Sequence, residues 1–83
     1  MAEGKVVHLS GMLVDVEFPA GALPDLFNAV EIYLENGCKT VGEVQERLDD
    51  TRVRLMVIES TEGIQSGLRA VDTGVSSVPS ASY

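Results

Sequence analysis

The sequence has few of the residues from which a reactive site is built. Among its 83 residues, Cys38 is the only cysteine and His8 is the only histidine. One cysteine excludes a disulfide framework and a cysteine-based zinc site, and one histidine cannot supply the several ligands of a histidine-based metal site. His8 lies inside a predicted strand, and no Gly-x-Ser-x-Gly segment is present to position a nucleophilic serine. We therefore predict no catalytic, metal-binding or cofactor-binding residues.

Basic residues are scarce as well. Six Lys and Arg stand against 13 Asp and Glu, which gives a net charge of -7. Such a chain repels phosphate backbones, so nucleic acid is not expected as a partner. No run approaches the ~20 apolar residues of a membrane span, and the opening MAEGK lacks the apolar stretch of a signal peptide. We expect a cytoplasmic protein without direct membrane insertion.

Regular alternation of apolar and polar residues is the strongest positive signal. In residues 12–18 one face carries only apolar side chains, at 12, 14, 16 and 18, and the other carries Leu13, Asp15 and Glu17. The same period of two recurs in residues 30–34 and 53–57, as in half-buried antiparallel strands. A first strand precedes these at 4–10 and a last one spans about 67–72, with turn residues between the strands. Five or six short strands predict an all-β barrel or sandwich.

Two segments and the tail depart from simple alternation. In residues 22–29, Pro24 suits the first position of a short helical turn, which we expect to close one end of a barrel. In residues 40–48, Thr40 and Glu43 form a capping box, whereas a strand would place Glu46 on the same face as Val44. The local pattern therefore favours a short helix there. The small and polar residues 76–83 predict a flexible tail after a barrel of residues 1–75.

Two further segments could carry chemistry. Asp49 and Asp50 could form a carboxylate pair, but sequential acids in a turn are usually solvated and not poised for acid–base catalysis. Residues 60–67, STEGIQSG, contain two glycines, but no Lys-Ser or Lys-Thr pair follows Gly67. The segment thus lacks the lysine and hydroxyl that a P-loop uses for phosphate and Mg²⁺. We interpret both segments as turns and predict that the chain neither binds nor hydrolyses ATP.

A set of short pieces in fixed order resembles the start of the beta subunit of F-type ATP synthases. The pieces are GKVV at 4–7, VDVEFP at 14–19, LP at 23–24, NA at 28–29, EVQ at 43–45, VR at 53–54, ST-G at 60–63 and VDTG at 71–74. Each piece is weak alone, but together they match in order and spacing over nearly the whole chain. Related barrels of the alpha subunit and of vacuolar-type or flagellar export ATPases usually lack this combination.

The resemblance implies a small, closed, six-stranded β-barrel from the N-terminal region of that subunit, with residues 40–48 as a strand. It also implies a structural role in a proton-coupled, ATP-making complex, with neighbouring alpha-subunit barrels as partners. No position matches the family's P-loop, catalytic acid or arginine finger, so we expect a chain that is not itself an enzyme. Contacts would be lateral and use Leu13, Tyr33 and the turn at 23–27, and the chain alone would be a monomer.

Several departures from the family pattern keep a second interpretation open. The family's apolar-proline stretch after VDTG is only partly present, as VSSVP, and SASY at 80–83 resembles no part of the family. Met12 stands where a small residue or proline is usual, and Asp49 stands where the family has a turn glycine. The alternative is a free-standing or engineered barrel scaffold, derived from the family, without nucleotide function. An enzyme acting alone is disfavoured, because no candidate catalytic group was found.

Overall fold

Six antiparallel strands close into a barrel in the computed structural model, which describes residues 2–78. The strands are β1 (Glu3–Ser10), β2 (Leu13–Glu17), β3 (Asn28–Tyr33), β4 (Lys39–Arg47), β5 (Arg52–Val57) and β6 (Arg69–Ser76). Their order around the barrel is β1-β2-β5-β4-β3-β6, so every strand is paired on both sides. The prediction of an all-β, closed, six-stranded barrel is confirmed. Residues 79–83 of the predicted tail lie outside the described part of the chain.

The core is built from apolar side chains at alternate strand positions. On β5, Val53, Leu55 and Val57 point inwards and are at most 1% exposed, while the residues between them lie on the outer surface. Such β-branched and branched side chains fit the half-buried surface of a pleated strand. Phe18, just after β2, and Ile64, between β5 and β6, pack against the same core.

Two glycines mark where the barrel is too tight for a side chain. A Cβ on Gly42 would point inwards and lie 3.0 Å from Leu55 Cβ and 3.2 Å from Val57 Cγ2. A Cβ on Gly4 would lie only 2.3 Å from the backbone oxygen of Glu17. Both positions need glycine because of close approach, and neither needs it for a left-handed backbone.

Residues 40–47 lie in β4 and Leu48 directly follows it, so the local prediction of a helix is wrong and the strand assignment drawn from the family resemblance is confirmed to within one residue. β4 pairs with both β3 and β5, and its register shifts between Val44 and Glu46. The shift inserts one extra residue, Gln45, as in a β-bulge. It turns Glu46 outwards, opposite Arg54, while Val44 stays fully buried opposite Leu55. The bulge therefore removes the conflict between Val44 and Glu46 that disfavoured a strand.

The predicted short helical turn at residues 22–29 is a β-turn instead, and the described residues contain no helix. The Asn28 N–H donates to the Asp25 carbonyl at 3.1 Å, which closes a four-residue turn. Phe27, its third residue, has a φ of 69°. A positive φ at this position is typical of a type II turn, and it cannot continue as a right-handed helix.

Candidate assembly surfaces

The residues that sequence reasoning examined for chemistry are dispersed over the barrel surface. His8 is exposed on β1, and Cys38 is exposed in the turn between β3 and β4. Within residues 2–78, no group of three or more His, Cys, Asp and Glu is placed to hold a metal ion. No helix in this described part is long and apolar enough to cross a membrane.

Asp49 fixes the turn between β4 and β5. Its carboxylate accepts bonds from the Thr51 N–H at 3.0 Å, the Arg52 N–H at 2.9 Å and the Arg52 guanidinium at 2.6 and 2.8 Å. The Arg52 side chain, followed by the Thr51 N–H, lowers the pKa of Asp49 from its ordinary value to about 2. Asp49 is thus an ionised turn residue. It has no positive φ, so this turn does not require a glycine at residue 49.

The glycine-containing segment 60–67 lies in the connection between β5 and β6, as predicted. It also covers part of the barrel. Ile64 is buried in the core cluster, and its N–H donates to the Thr61 carbonyl at 3.1 Å. The Gly67 N–H donates to the Val6 carbonyl at 2.7 Å, and Ser66 Oγ donates to the Val7 carbonyl at 3.1 Å. The backbone N–H groups of Gly67 and Ile64 are therefore bonded within the protein.

The outer surface has two unlike opposite faces, and the first is centred on β5. On this β5-centred face, made by β2, β5 and β4, Arg54 lies opposite Asp15 on one side and Glu46 on the other. The Arg54 guanidinium binds Asp15 at 2.8 and 3.2 Å and lies 3.8 Å from Glu46. The paired acids raise the pKa of Arg54, mainly through the hydrogen bond to Asp15. This row ties three neighbouring strands together.

Beside this row, apolar side chains on the same face are exposed or half-buried. Met56 lies opposite both Leu13 and Glu43, and Ile58, just beyond β5, is 72% exposed. Val41 and Ile58 line one shallow depression of about 240 Å³ together with Met56, Glu43 and Glu59. We call Met12, Leu13, Val41, Met56 and Ile58 the apolar patch. Contiguous exposed apolar side chains with a polar rim are typical of an interaction surface.

The second face is centred on β6, which lies three strands away from β5 in either direction around the barrel. On this β6-centred face, made by β3, β6 and β1, Arg69 pairs with Glu3 and lies 4.7 Å from the centre of the Tyr33 ring.

The row of charges continues from β3 of this face onto Lys39, at the start of the adjacent strand β4. Tyr33 donates to Glu31 at 2.9 Å, and Lys39 Nζ binds the other oxygen of that carboxylate at 2.7 Å. Lys39, and then Tyr33, lower the pKa of Glu31 by hydrogen bonding. The ion pairs Arg69–Glu3 and Lys39–Glu31 therefore form a row on the β6-centred face, beside which Val75 of β6 is 64% exposed.

The predicted lateral residues do not form one surface. Leu13 belongs to the β5-centred face and Tyr33 to the β6-centred face, while Leu26 and Phe27 are exposed on the loop between β2 and β3. Sequence reasoning did not single out Met56 and Ile58 as surface contacts. The sequence nevertheless contains a signal for them. Both residues occupy outward positions of a clear alternation, where a strand facing only water would carry polar residues.

The family model described as ATP synthase alpha/beta family, beta-barrel domain, matches residues 6–74. The match begins within β1 and ends within β6, so it covers the closed barrel almost completely. It agrees with the resemblance drawn from the sequence at the level of the family, and it does not separate alpha from beta subunits. The chain belongs to the ATP synthase alpha/beta family.

Proposed function

We propose that this chain is the assembly barrel of an F-type ATP synthase beta subunit, and that it joins neighbouring subunits without catalysing a reaction itself. The observation that carries the proposal is the pair of unlike faces on opposite sides of a closed barrel. A closed barrel has no unpaired strand edges, so association by strand addition is not available. Contacts to neighbours then have to be made through outward side chains.

The contrast between the faces favours a neighbour of different sequence. In a ring of barrels, each contact joins one face to the opposite face of the next barrel. If every barrel were this chain, the apolar patch would press against the ion pairs Arg69–Glu3 and Lys39–Glu31. Covering those charges with apolar side chains carries a large desolvation cost. A related barrel with a different opposing face avoids that cost, and the alpha-subunit barrel is the proposed neighbour.

Assignment to the beta subunit, rather than to the alpha subunit, rests on short sequence pieces. VDVEFP at 14–19 and VDTG at 71–74 resemble the beta-subunit pattern. In the proposed complex the barrel would be cytoplasmic and peripheral to the membrane. Nucleotide binding would not be a property of this chain, because residues 60–67 lack the phosphate-binding groups of a P-loop. Isothermal calorimetry with Mg-ATP at millimolar concentration is expected to give no saturable heat.

Exchange of barrels between subunits tests both the assembly role and the subunit assignment. Residues 2–78 would replace the barrel of an F-type beta subunit in one chimaera and that of the alpha subunit in another. Native mass spectrometry of each chimaera with its wild-type partner is expected to show a hexamer for the beta chimaera only. A hexamer with the alpha chimaera instead would contradict the beta assignment.

Point variants of the beta chimaera locate the contact. Ile58→Glu places a charge in the apolar patch and is expected to reduce hexamer formation at least about tenfold. Ala20→Glu adds the same charge at an exposed position of the loop between β2 and β3, outside the apolar patch, and is the matched control. Equal loss in both variants would contradict a contact through the patch.

The alternative function, a barrel scaffold without partners, is favoured by one observation. Met12, which departs from the family pattern, lies in the apolar patch and is 48% exposed. If neither chimaera assembles although circular dichroism shows that both are folded, the scaffold interpretation replaces the assembly role.

A further inference from the structure

Phe27 has a backbone conformation that its side chain does not favour. Among residues 2–78 it is the only residue other than glycine with a positive φ, 69°. Bulky side chains are rarely found in this left-handed region, because the Cβ approaches the following carbonyl oxygen. The ring is 47% exposed, so burial of the side chain does not compensate for the strain. Other parts of the structure must therefore hold this residue in place.

Hydrogen bonds from two directions hold the Phe27 backbone. Its N–H donates to the Val44 carbonyl at 2.8 Å, next to the β4 bulge. Its carbonyl accepts two bonds from Ser77, one from the N–H at 2.7 Å and one from Oγ at 3.0 Å. Ser77 directly follows β6, so the left-handed residue lies between β4 and the segment that leaves the barrel.

Ser77 has a second attachment point on β4. Its single hydroxyl proton is shared between the Phe27 carbonyl and a carboxylate oxygen of Glu43. Ser77 itself is exposed, so water can replace each of these bonds once the segment moves. Such an exposed hydrogen-bonded contact can open locally, because water then satisfies the separated groups and the strained residue relaxes.

We propose that Ser77 is a releasable strap. Its hydrogen bonds couple residues 77–78, the exit segment that follows β6, to the loop carrying Leu26 and Phe27. With the strap bound, Phe27 is held in the left-handed region. When Ser77 is drawn away, Phe27 moves to a negative φ and its bond to Val44 breaks. The coupling is reciprocal, so a ligand that fixes the loop would also change how firmly the exit segment is attached. This proposal goes beyond the assembly role and does not depend on it.

Amide hydrogen exchange at residue 27 is the direct measurement, because this N–H is the donor to Val44. Ser77→Pro removes the Ser77 N–H and hydroxyl, and its backbone requirement is compatible with the extended Ser76 that precedes it. We expect exchange of the residue 27 amide to accelerate at least about tenfold, with the Leu55 amide unchanged as a control for global unfolding. Ser66→Ala, which removes the bond from Oγ to the Val7 carbonyl, is the matched control and should leave residue 27 unchanged.

A second variant, Phe27→Gly, distinguishes coupling between Ser77 and the strained residue 27 from the simple loss of a hydrogen bond. In Phe27→Gly the left-handed conformation is relaxed without the strap. Adding Ser77→Pro to that variant is expected to accelerate exchange at residue 27 less than about threefold. The proposal is overturned if Ser77→Pro leaves residue 27 protected, or if the acceleration is equally large with glycine at that position.

Discussion

Arg54 and Asp15 face each other across the ladder between β5 and β2 and form a two-point ion pair. The distances from the guanidinium nitrogens to the carboxylate oxygens are 2.8 and 3.2 Å. The Asp15 side chain is only 8% exposed, although it lies on the outer face of the barrel. The Arg54 side chain therefore shields the carboxylate from water while it supplies the opposite charge.

Arg54→Ala is expected to destabilise the barrel by about 1–3 kcal/mol, because it leaves a mostly buried carboxylate without its partner. Urea unfolding at neutral pH measures this difference. Lys39→Ala removes an exposed ion pair with Glu31 and should cost less than about 1 kcal/mol. If the two variants lose the same free energy of unfolding, the Asp15–Arg54 pair stabilises the barrel no more than an exposed ion pair does.

The two tight glycines should differ in their response to alanine. Gly4→Ala places a Cβ against a backbone oxygen, so β1 and β2 must separate, and we expect a loss of about 3 kcal/mol or more in the free energy of unfolding. Gly42→Ala meets the side chains of Leu55 and Val57, which can shift, and a loss of about 1–2 kcal/mol is expected.

Thermal and urea unfolding of the two variants test this ranking. Gly42→Ala is the matched control, since it adds the same methyl group at another tightly packed strand position of the barrel. A larger loss of unfolding free energy in Gly42→Ala than in Gly4→Ala would contradict the close approach of β1 and β2 at Gly4.

Asp49 makes stability depend on pH in a defined window. Its folded-state pKa of about 2 lies below the ordinary value of 3.8. A lowered folded-state pKa means that the contribution is fully present above about pH 4 and is lost as the pH falls through about 2. The difference in unfolding free energy between wild type and Asp49→Asn should therefore shrink across this window. Asparagine can still accept the turn's N–H bonds, so the variant isolates the charge.

Other carboxylates also titrate in acid, and Glu31 has its pKa lowered as well. Because both proteins retain Glu31, its effect cancels in the difference. A difference that stays constant from about pH 5 to about pH 2 would contradict the assigned role of the Asp49 carboxylate.

The strands with undisturbed alternation could be predicted directly from the sequence. β5 shows this best, since Val53, Leu55 and Val57 point inwards as the pattern requires. β4 could not be predicted locally, because the extra residue Gln45 changes the phase of the alternation and the start of the strand resembles a helix cap. Pairing with two neighbouring strands outweighs that local signal.

The composition of the two faces and the conformation of the Phe27 turn could not be predicted from local sequence patterns. Leu13 and Tyr33 lie on opposite faces because of the strand order, which short-range periodicity does not encode. The Phe27 backbone donates a hydrogen bond to Val44 and accepts one from Ser77, and both residues lie far from it in the sequence. A phenylalanine gives no local signal for such a conformation.

Sedimentation velocity of this chain alone, at micromolar concentration and low salt, tests the central claim that its two faces do not complement each other. The net charge of -7 adds repulsion between copies, which acts over about 30 Å at 0.01 M salt. We expect a monomer under these conditions, with at most weak association when salt is raised. A stable hexamer formed by this chain alone would mean that its faces are self-complementary, and it would contradict assembly with a different neighbour.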